Sequence, residues 1–245
     1  MGKDNKGFHK KVLQMTGICM FLFTITFILY KRSVVEVTSI SLEQENVMIE
    51  IGRKMVLTGE IMPENATDWV LNWTSSDESV ATVSASGEVS AVAAGTATIT
   101  VKVANTNKRA ACTIIVPVAF NNEEFEKQVR LLIGKPDGPI YKTNLAGISS
   151  LHLAGENITE INGIENFVDL EVLGIRFTKV SEINGLKGLE NLMDLDLGDN
   201  KISDIGSLAD LVNLNILRLG GNNISDISPL RKLTNLTILD LHSNG

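Results

Sequence analysis

Cysteine and histidine are scarce in this 245-residue chain, and their scarcity excludes several kinds of site. The two cysteines, Cys19 and Cys112, lie in segments of different character, so we expect no intrachain disulfide. The three histidines, His9, His152 and His242, have no metal-ligand spacing with each other or with cysteine. The sequence therefore predicts neither a disulfide-stabilised scaffold nor a metal site.

Motifs that carry catalysis are also lacking. The chain has no Gly-rich phosphate loop, no nucleophile motif and no paired acid–base motif. Basic residues are outnumbered, since the net charge is −7 at pH 7, and a nucleic-acid-binding protein needs a basic stripe. We therefore expect a protein that is not an enzyme, has no cofactor and does not bind nucleic acid.

One long apolar run, Val12–Tyr30, carries no charged side chain and is long enough to cross the hydrocarbon core of a bilayer. Lysines precede it and Lys31-Arg32 follow it, so residues 1–11 are expected in the cytoplasm. Two interpretations remain open. An uncleaved signal anchor would give a single-pass membrane protein with an extracellular C-terminal part. A cleaved signal peptide would give a secreted protein, but no small-x-small cleavage site follows Tyr30, which favours the anchor.

Residues 34–118 alternate short strand-forming runs with turn signals, which predicts an all-β sandwich. Ile99, Val101 and Val103 alternate with polar residues, so one face of their strand is expected in the core. The predicted strands are Thr38–Leu42, Met55–Ile61, Val70–Thr74, Val80–Ser84, Glu88–Val92, Thr96–Val103 and Ala111–Val116.

Three motifs in this segment resemble the group 2 bacterial immunoglobulin-like domain. They are Trp73-Thr-Ser-Ser-Asp-Glu-Ser-Val80, Gly87-Glu-Val89 and Ala94-Gly95-Thr-Ala-Thr-Ile99. The resemblance covers nearly all of residues 34–118 and implies that Trp73 is a core residue. It also implies a role as a spacer or as an adhesive module, of which we favour the spacer. Cys112 is expected to be a small buried hydrophobe.

A 22-residue period dominates the rest of the chain. Asn200-Lys-Ile202-Ser-Asp-Ile205 recurs as Asn222-Asn-Ile224-Ser-Asp-Ile227, each inside a frame Leu-x-x-Leu-x-Leu-x-x-Asn. The frame stays in register over residues 145–245, as four coils and part of a fifth, and is typical of leucine-rich repeats. The Leu-x-Leu step predicts a short strand in each coil, and neighbouring coils must stack to bury their apolar faces.

The asparagine of the frame is expected to satisfy backbone groups of adjacent coils. Two coils lack it, because Glu156 and Thr178 occupy the corresponding positions. We expect Asn157 to replace the first, and a weaker or water-filled ladder at Thr178.

This frame resembles the leucine-rich repeats of internalin-like bacterial surface proteins, and the resemblance covers residues 120–245. Residues 120–144 are similar to the helical N-terminal cap of internalins, with Asn121 or Asn122 at the helix start and Gly134 at its end. A cap is needed to keep water from the core of the first coil. Four apolar residues are expected on its buried face: Phe125, Val129, Leu132 and Ile133.

The outward-facing strand residues are expected to form a concave ligand-binding face. Phe177 allows two interpretations: an exposed anchor beside Arg176, or an aromatic ring that folds back to patch the coil without its asparagine. Solvation alone is an alternative explanation for the charged residues. The predicted ligand-binding residues are His152, Arg176, Phe177, Asp194, Asp196, Asp199, Arg218 and Asp240.

The sequence thus predicts a multidomain, membrane-anchored cell-surface adhesion protein whose concave face binds a protein or another macromolecule. Its parts would be a transmembrane helix (12–30), an immunoglobulin-like spacer (34–118), a helical cap (120–144) and the repeats (145–245). Two alternatives remain: the non-catalytic N-terminal part of a larger exported enzyme, or a structural envelope protein without a specific ligand. Because the frame stops after Asn244 without its closing isoleucine, we expect an incomplete solenoid.

Overall fold

The computed structural model describes residues 34–244. An all-β domain comes first, a helical segment follows, and a solenoid of stacked coils occupies the rest. The expected transmembrane segment, residues 12–30, lies outside the described residues. Within residues 34–244, no helix is both long enough and apolar enough to cross a membrane.

The all-β domain is built from short strands in three sheets. The strands are β1 (Ser39–Leu42), β2 (Asn46–Met48), β3 (Lys54–Val56), β4 (Gly59–Met62), β5 (Leu71–Ser75), β6 (Ala81–Val83), β7 (Glu88–Ala91), β8 (Gly95–Val103) and β9 (Arg109–Val116). The first sheet pairs β1 with β4, the second has the order β2-β9-β8-β5, and the third has the order β3-β7-β6. Within this domain, only the β2–β9 pair is parallel.

Two details of the strand prediction were wrong. The single strand expected at Met55–Ile61 is two strands, because the chain changes sheets: Val56 pairs with Glu88 in β7, whereas Gly59 pairs with Leu42 in β1. Strand β2 was missed, because its only partly buried residue is Val47, which leaves no alternating pattern to detect.

The core of this domain follows the predicted alternation. Ile99, Val101 and Val103 are buried, and Trp73 is half-buried between the two apolar clusters of the domain. Gly87 has a φ of +82°, and a Cβ there would lie 2.5 Å from the Leu57 carbonyl oxygen. Only glycine therefore allows this turn to close over the Trp73 ring.

Cys112 is buried in this core, as expected. Burial raises the pKa of its thiol, so the reactive thiolate is rarer than in an exposed cysteine. In a Cys19→Ser variant, we expect Cys112 to resist a thiol reagent such as a maleimide at neutral pH until denaturant is added. Modification of the folded protein at the rate of an exposed cysteine would contradict this burial.

The helical segment begins with α1 (Glu123–Ile133) and ends with the single turn α2 (Lys142–Leu145). The Asn122 side chain is the N-cap, since its oxygen accepts the Phe125 N–H at 2.8 Å, and the helix ends at Gly134 with φ +64°. The buried stripe follows the i, i+4 positions Phe125 and Val129, with Ile133 partly buried. The expectation for Leu132 was wrong, because it lies beside this stripe and is exposed.

The solenoid has one parallel sheet of five strands in chain order. Neighbouring strands pair at the predicted interval, so that Leu151, Leu173, Leu195, Leu217 and Leu239 form one row. Short 3-10 helices, beginning with Ile164–Asn166, form the return side of the coils. The strands are β10 (Ser150–Ala154), β11 (Val172–Arg176), β12 (Asp194–Asp196), β13 (Ile216–Arg218) and β14 (Ile238–Asp240).

The leucine frame fills a continuous core that also includes Phe125 and Val129 of α1. Two frame residues near the end of the stack are exposed, Ile227 by 51% and Leu239 by 44%. Ile205, one coil before Ile227, is 1% exposed because the following coil covers it. Burial of a frame residue therefore depends on the next coil in the stack.

The asparagine ladder links adjacent coils as predicted. The Asn222 amide donates to the carbonyl oxygens of Leu197 and Leu219, at 2.9 and 3.0 Å, and its oxygen accepts the Ile202 N–H at 3.0 Å. Asn244 repeats this pattern one coil later, with the Leu219 carbonyl and the Ile224 N–H among its partners. Each side chain therefore satisfies buried backbone groups of two coils.

The expectation of a water-filled ladder at Thr178 was wrong, because the side-chain hydroxyl contacts its neighbours directly. The ladder is weaker there, as the other alternative held, because threonine has no amide to donate to the carbonyl oxygens. The Thr178 hydroxyl donates to the side-chain oxygen of Asn200 and accepts the Val180 N–H at 3.3 Å. It thus relays a contact that an asparagine oxygen makes directly in the later coils. The expectation for Asn157 was also wrong: it is exposed, and its backbone oxygen accepts a hydrogen bond from Asn122.

Replacing Thr178 with valine should leave the Asn200 oxygen without its hydroxyl donor and the Val180 N–H without its acceptor. We expect the free energy of unfolding to fall by about 1–3 kcal/mol, the usual cost of unpaired buried polar groups. Denaturant unfolding measures this change. Thr178→Ser keeps the hydroxyl and serves as the control, and equal losses in the two variants would contradict the relay.

Candidate ligand-binding face

The outward residues at the strand centres form a ladder across the solenoid sheet. His152, Gly174, Asp196, Arg218 and Asp240 stand in successive strands in direct register. Neighbouring strands lie about 4.8 Å apart, so these side chains can act as one surface.

A depression of about 360 Å³ lies over the first four strands. Asp199 is outside its lining but contacts it through Arg176, and Asp240 lies in the next strand beside Arg218. The structure therefore brings most of the predicted residues together. The predicted residues in the lining are His152, Arg176, Phe177, Asp194, Asp196 and Arg218.

Ion pairs hold the two arginines of this depression in place. Arg218 Nη1 lies 3.0 Å from Asp194 Oδ1, and Arg176 contacts Asp196 and Asp199 at 3.6 and 3.4 Å. Pairs this exposed contribute little to stability. Their effect is to orient the guanidinium groups before any ligand arrives.

Gly174 makes room for the histidine of the neighbouring strand. A Cβ at Gly174 would lie 2.8 Å from the His152 ring, closer than carbon atoms approach. The His152 ring therefore covers the glycine, and together they form part of the floor of the depression.

Phe177 is exposed and does not fold into the coil. Its side chain is 58% exposed, and the Arg176 guanidinium carbon lies 4.9 Å from the centre of its ring. This distance is typical of a cation–π contact. The Thr178 hydroxyl, not the Phe177 ring, serves the coil that lacks its asparagine.

The backbone of Phe177 has a φ of +55°, in the left-handed region. The same frame position has positive φ in every described coil, at Gly155, Asp199, Gly221 and Ser243. Glycine adopts this conformation freely, whereas an L-residue pays roughly 1–2 kcal/mol. A bulky aromatic residue at such a position is uncommon and indicates a role other than stability.

The far end of the ladder holds a hydrogen-bonded pair. His242 Nδ1 lies 2.6 Å from Asp240 Oδ1, and hydrogen bonds from the His242 side chain and backbone lower the pKa of Asp240. The His242 ring covers Gly220 as His152 covers Gly174. Asp240 is thus tied to His242 and stays outside the depression.

The left-handed frame position and the inclusion of Val172 in the lining were not predicted from the sequence. A signal for the first was present, because Gly155 and Gly221 recur there. Val172 offered none, since a single apolar residue at an outward position is ordinary.

Family models match both parts of the chain. The bacterial Ig-like domain (group 2) matches residues 36–114, and two leucine-rich repeat models match residues 170–224 and 212–245. The domain and the repeats that the motifs predicted are therefore both confirmed.

Individual relatives share parts of the chain. An Ig-like virion protein of Serratia phage KSP90 is 40% identical over 85 residues, which are 34% of this chain and 33% of the relative. A 3-O-alpha-D-galactosyl-alpha-L-arabinofuranosidase of Bifidobacterium longum is 37% identical over 76 residues, 31% of this chain and 7% of the relative. The chain thus spans a third or less of these curated relatives.

Among solved structures, an internalin of Listeria monocytogenes is 36% identical with a TM-score of 0.49. The match covers 50% of this chain and 37% of the internalin. Bacterial immunoglobulin-like domains and leucine-rich repeats are typically non-catalytic, and leucine-rich repeats generally bind proteins. The chain thus carries a group 2 bacterial immunoglobulin-like domain in front of leucine-rich repeats.

Proposed function

We propose that this chain is a bacterial cell-surface binding protein whose concave repeat face captures a protein ligand, as in adhesion. The observation that supports this most strongly is Phe177, an exposed aromatic residue kept in an unfavourable backbone conformation beside the oriented Arg176. Aromatic and arginine side chains supply most of the energy at protein interfaces.

The chemistry of the depression favours a protein over a small molecule. It is shallow, it carries both signs of charge, and its carboxylates and guanidinium groups are already paired. A ligand with its own charged and polar groups would add hydrogen bonds to these fixed groups and cover the Phe177 ring. The proposed binding residues are His152, Arg176, Phe177, Asp194, Asp196, Asp199, Arg218 and Asp240.

The β domain would act as the spacer. The chain enters the β domain near Val35 and leaves it after Val116. In the β8–β9 hairpin, Lys102 pairs with Arg109 at one end, and Gly95 pairs with Val116 at the other end. The entry lies at the end with Lys102 and Arg109. Val35 is hydrogen-bonded to Thr67, and Val70, three residues later, is hydrogen-bonded to Ala104 in the β8–β9 turn. A nine-residue strand separates these ends by roughly 30 Å.

Helix α1 would cap the solenoid. Phe125 and Val129 lie in the same core as the first coil, and the Phe120 ring meets the Phe125 ring edge-on with centroids 5.1 Å apart. The Val118 N–H donates to the Ile140 carbonyl at 2.7 Å, which ties the cap to the end of the β domain. The apolar run at residues 12–30 would anchor the protein in the cell membrane, or be removed as a signal peptide from a secreted form.

Capture by the immobilised protein tests the binding function. Wild type, Phe177→Ala and Arg218→Ala are compared against extracellular proteins of candidate target cells. Val168→Ala is the control, because Val168 is exposed in the turn before β11 and outside the lining of the depression. We expect both concave variants to lose a protein that wild type and control retain. Unchanged capture by variants with wild-type circular dichroism would show that the concave face does not bind the ligand.

A second candidate is the non-catalytic part of an exported enzyme, which the partial match to the Bifidobacterium glycosidase favours. A reading frame that continues past Gly245 into a catalytic motif would support it. Further repeats or a wall-sorting signal would support adhesion. A purely structural envelope protein would show a concave face that captures nothing.

A further inference from the structure

Exposed apolar side chains cluster where the chain enters the β domain. Trp69 is 44% exposed and Val70 is 61% exposed, and Val34 and Met62 are exposed as well. The Thr67 N–H donates to the Val35 carbonyl at 3.0 Å, and the Val35 N–H donates to Thr67 Oγ1 at 3.2 Å. The turn that presents Trp69 is thereby fixed against the entering chain.

A basic hairpin borders this cluster. The Ala104 N–H donates to the Val70 carbonyl at 2.9 Å, which places the β8–β9 turn beside Val70. Lys102, Lys108 and Arg109 stand at this turn, and within residues 34–244 none of them has a carboxylate within 4.0 Å. Positive charge here is therefore available to an external partner.

Acidic residues are also present at this end. Glu36, Glu64 and Asp68 are exposed near the same turn. These three acidic residues equal the three basic residues of the hairpin in number. In the sequence, Lys31 and Arg32 precede Ser33 and Val34 and would bring the count to five basic residues against three acidic ones.

The covalent connection limits what can lie opposite this surface. Only Lys31, Arg32 and Ser33 separate the apolar run from Val34. An extended chain covers at most about 3.6 Å per residue, so Val34 lies within roughly 14 Å of the end of that run. If residues 12–30 span the membrane, this end of the β domain stands at the headgroups.

We propose that Val34, Met62, Trp69 and Val70, with Lys102, Lys108 and Arg109, form a bilayer-facing surface that rests on anionic phospholipid headgroups. The proposal rests on the membrane anchoring of residues 12–30 proposed above. Tryptophan favours the membrane interface, because its ring is apolar and its N–H needs a polar partner. Lysine and arginine are attracted to anionic lipids at short range.

The consequence is a fixed orientation of the ectodomain. At its opposite end, near Val116, the β domain continues into the helical segment and the repeats. A domain seated on the bilayer by its entry end would hold the solenoid on the side away from the membrane. The bilayer-facing surface would therefore present the solenoid away from the membrane, and none of its residues belongs to the concave face.

Bromolipid quenching of the full chain tests this surface, because Trp69 and Trp73 are its only tryptophans. The protein is reconstituted in phosphatidylglycerol-containing vesicles, with and without bromine in the upper acyl chain. A Trp73→Phe variant isolates Trp69, and a Trp69→Phe variant isolates Trp73. If Trp73→Phe fails to fold, the emission of wild type minus that of Trp69→Phe gives the same quantity.

We expect bromolipids to reduce Trp69 emission roughly twofold or more, as for a ring at the interface, and to leave Trp73 emission unchanged. Lys108→Glu/Arg109→Glu should weaken the quenching. Chain that floats with the vesicles but shows no Trp69 quenching would overturn the bilayer-facing surface alone. Chain that does not float with the vesicles would overturn the membrane anchoring and this proposal together.

Discussion

Replacing Asn222 with alanine should lower the free energy of unfolding by about 3–5 kcal/mol, because several buried backbone groups lose their partners at once. The Asn222 side chain serves the carbonyl oxygens of Leu197 and Leu219 and the N–H of Ile202. No water can replace it without opening the core between two coils. Equilibrium denaturation followed by circular dichroism measures the loss.

Two further variants make the ladder prediction specific. Asn223→Ala is the matched control, since Asn223 is the adjacent asparagine and is exposed, and we expect a change within about 0.5 kcal/mol. Asn222→Asp keeps an acceptor for Ile202 but turns a carboxylate toward carbonyl oxygens, so it should be at least as destabilising as alanine. Equal stabilities of Asn222→Ala and Asn223→Ala would show that the ladder does not hold the coils together.

Replacing Phe125 with alanine should cost about 3–5 kcal/mol, the usual range for a fully buried phenylalanine. The ring packs against Phe120 and joins helix α1 to the core of the first coil. If α1 caps the solenoid, the loss should be local at first. Hydrogen exchange should accelerate in α1 and in residues 145–161 before the later coils respond.

Leu131→Ala provides the control for the cap, because Leu131 lies in the same helix and is exposed. Its stability and exchange pattern should match those of wild type. Uniform acceleration across all coils in Phe125→Ala would instead indicate a single cooperative solenoid in which α1 has no special capping role.

The repeats could be predicted in detail because their information is local and periodic. A residue of the frame, such as Leu195, occupies the same environment as its counterparts 22 residues away, so one consensus fixes strand, core and ladder positions together. The exceptions arise where a coil departs from its neighbours. The role of Thr178 could not be predicted, because it depends on contacts with Asn200 and Val180 that only the folded coil shows.

The β domain was predicted less completely, because its pairings are non-local. Alternation identified β8 and its buried face, but nothing in Met55–Ile61 indicates that the chain changes partners after Val56. The exposure of Trp69 could likewise not be predicted, since it depends on the contacts of Thr67 with Val35.

The candidate site was predicted as a set of positions, not as a geometry. Register placed Asp196 beside Arg218, but the ion pair that forms is the diagonal one between Arg218 and Asp194. The two interpretations of Phe177 could not be separated from the sequence, because the backbone angle and the exposure that distinguish them appear only in the folded coil.

Ligand binding by the concave face is tested most directly by a paired measurement on Phe177→Gly. Glycine adopts the left-handed conformation of this position without strain, so the variant should be as stable as wild type or more stable, by up to about 1 kcal/mol in unfolding free energy. Capture of the protein ligand by the same sample should fall sharply, because the exposed ring is gone. A variant that is stable and still captures its ligand at the wild-type level would show that the Phe177 ring does not bind the ligand.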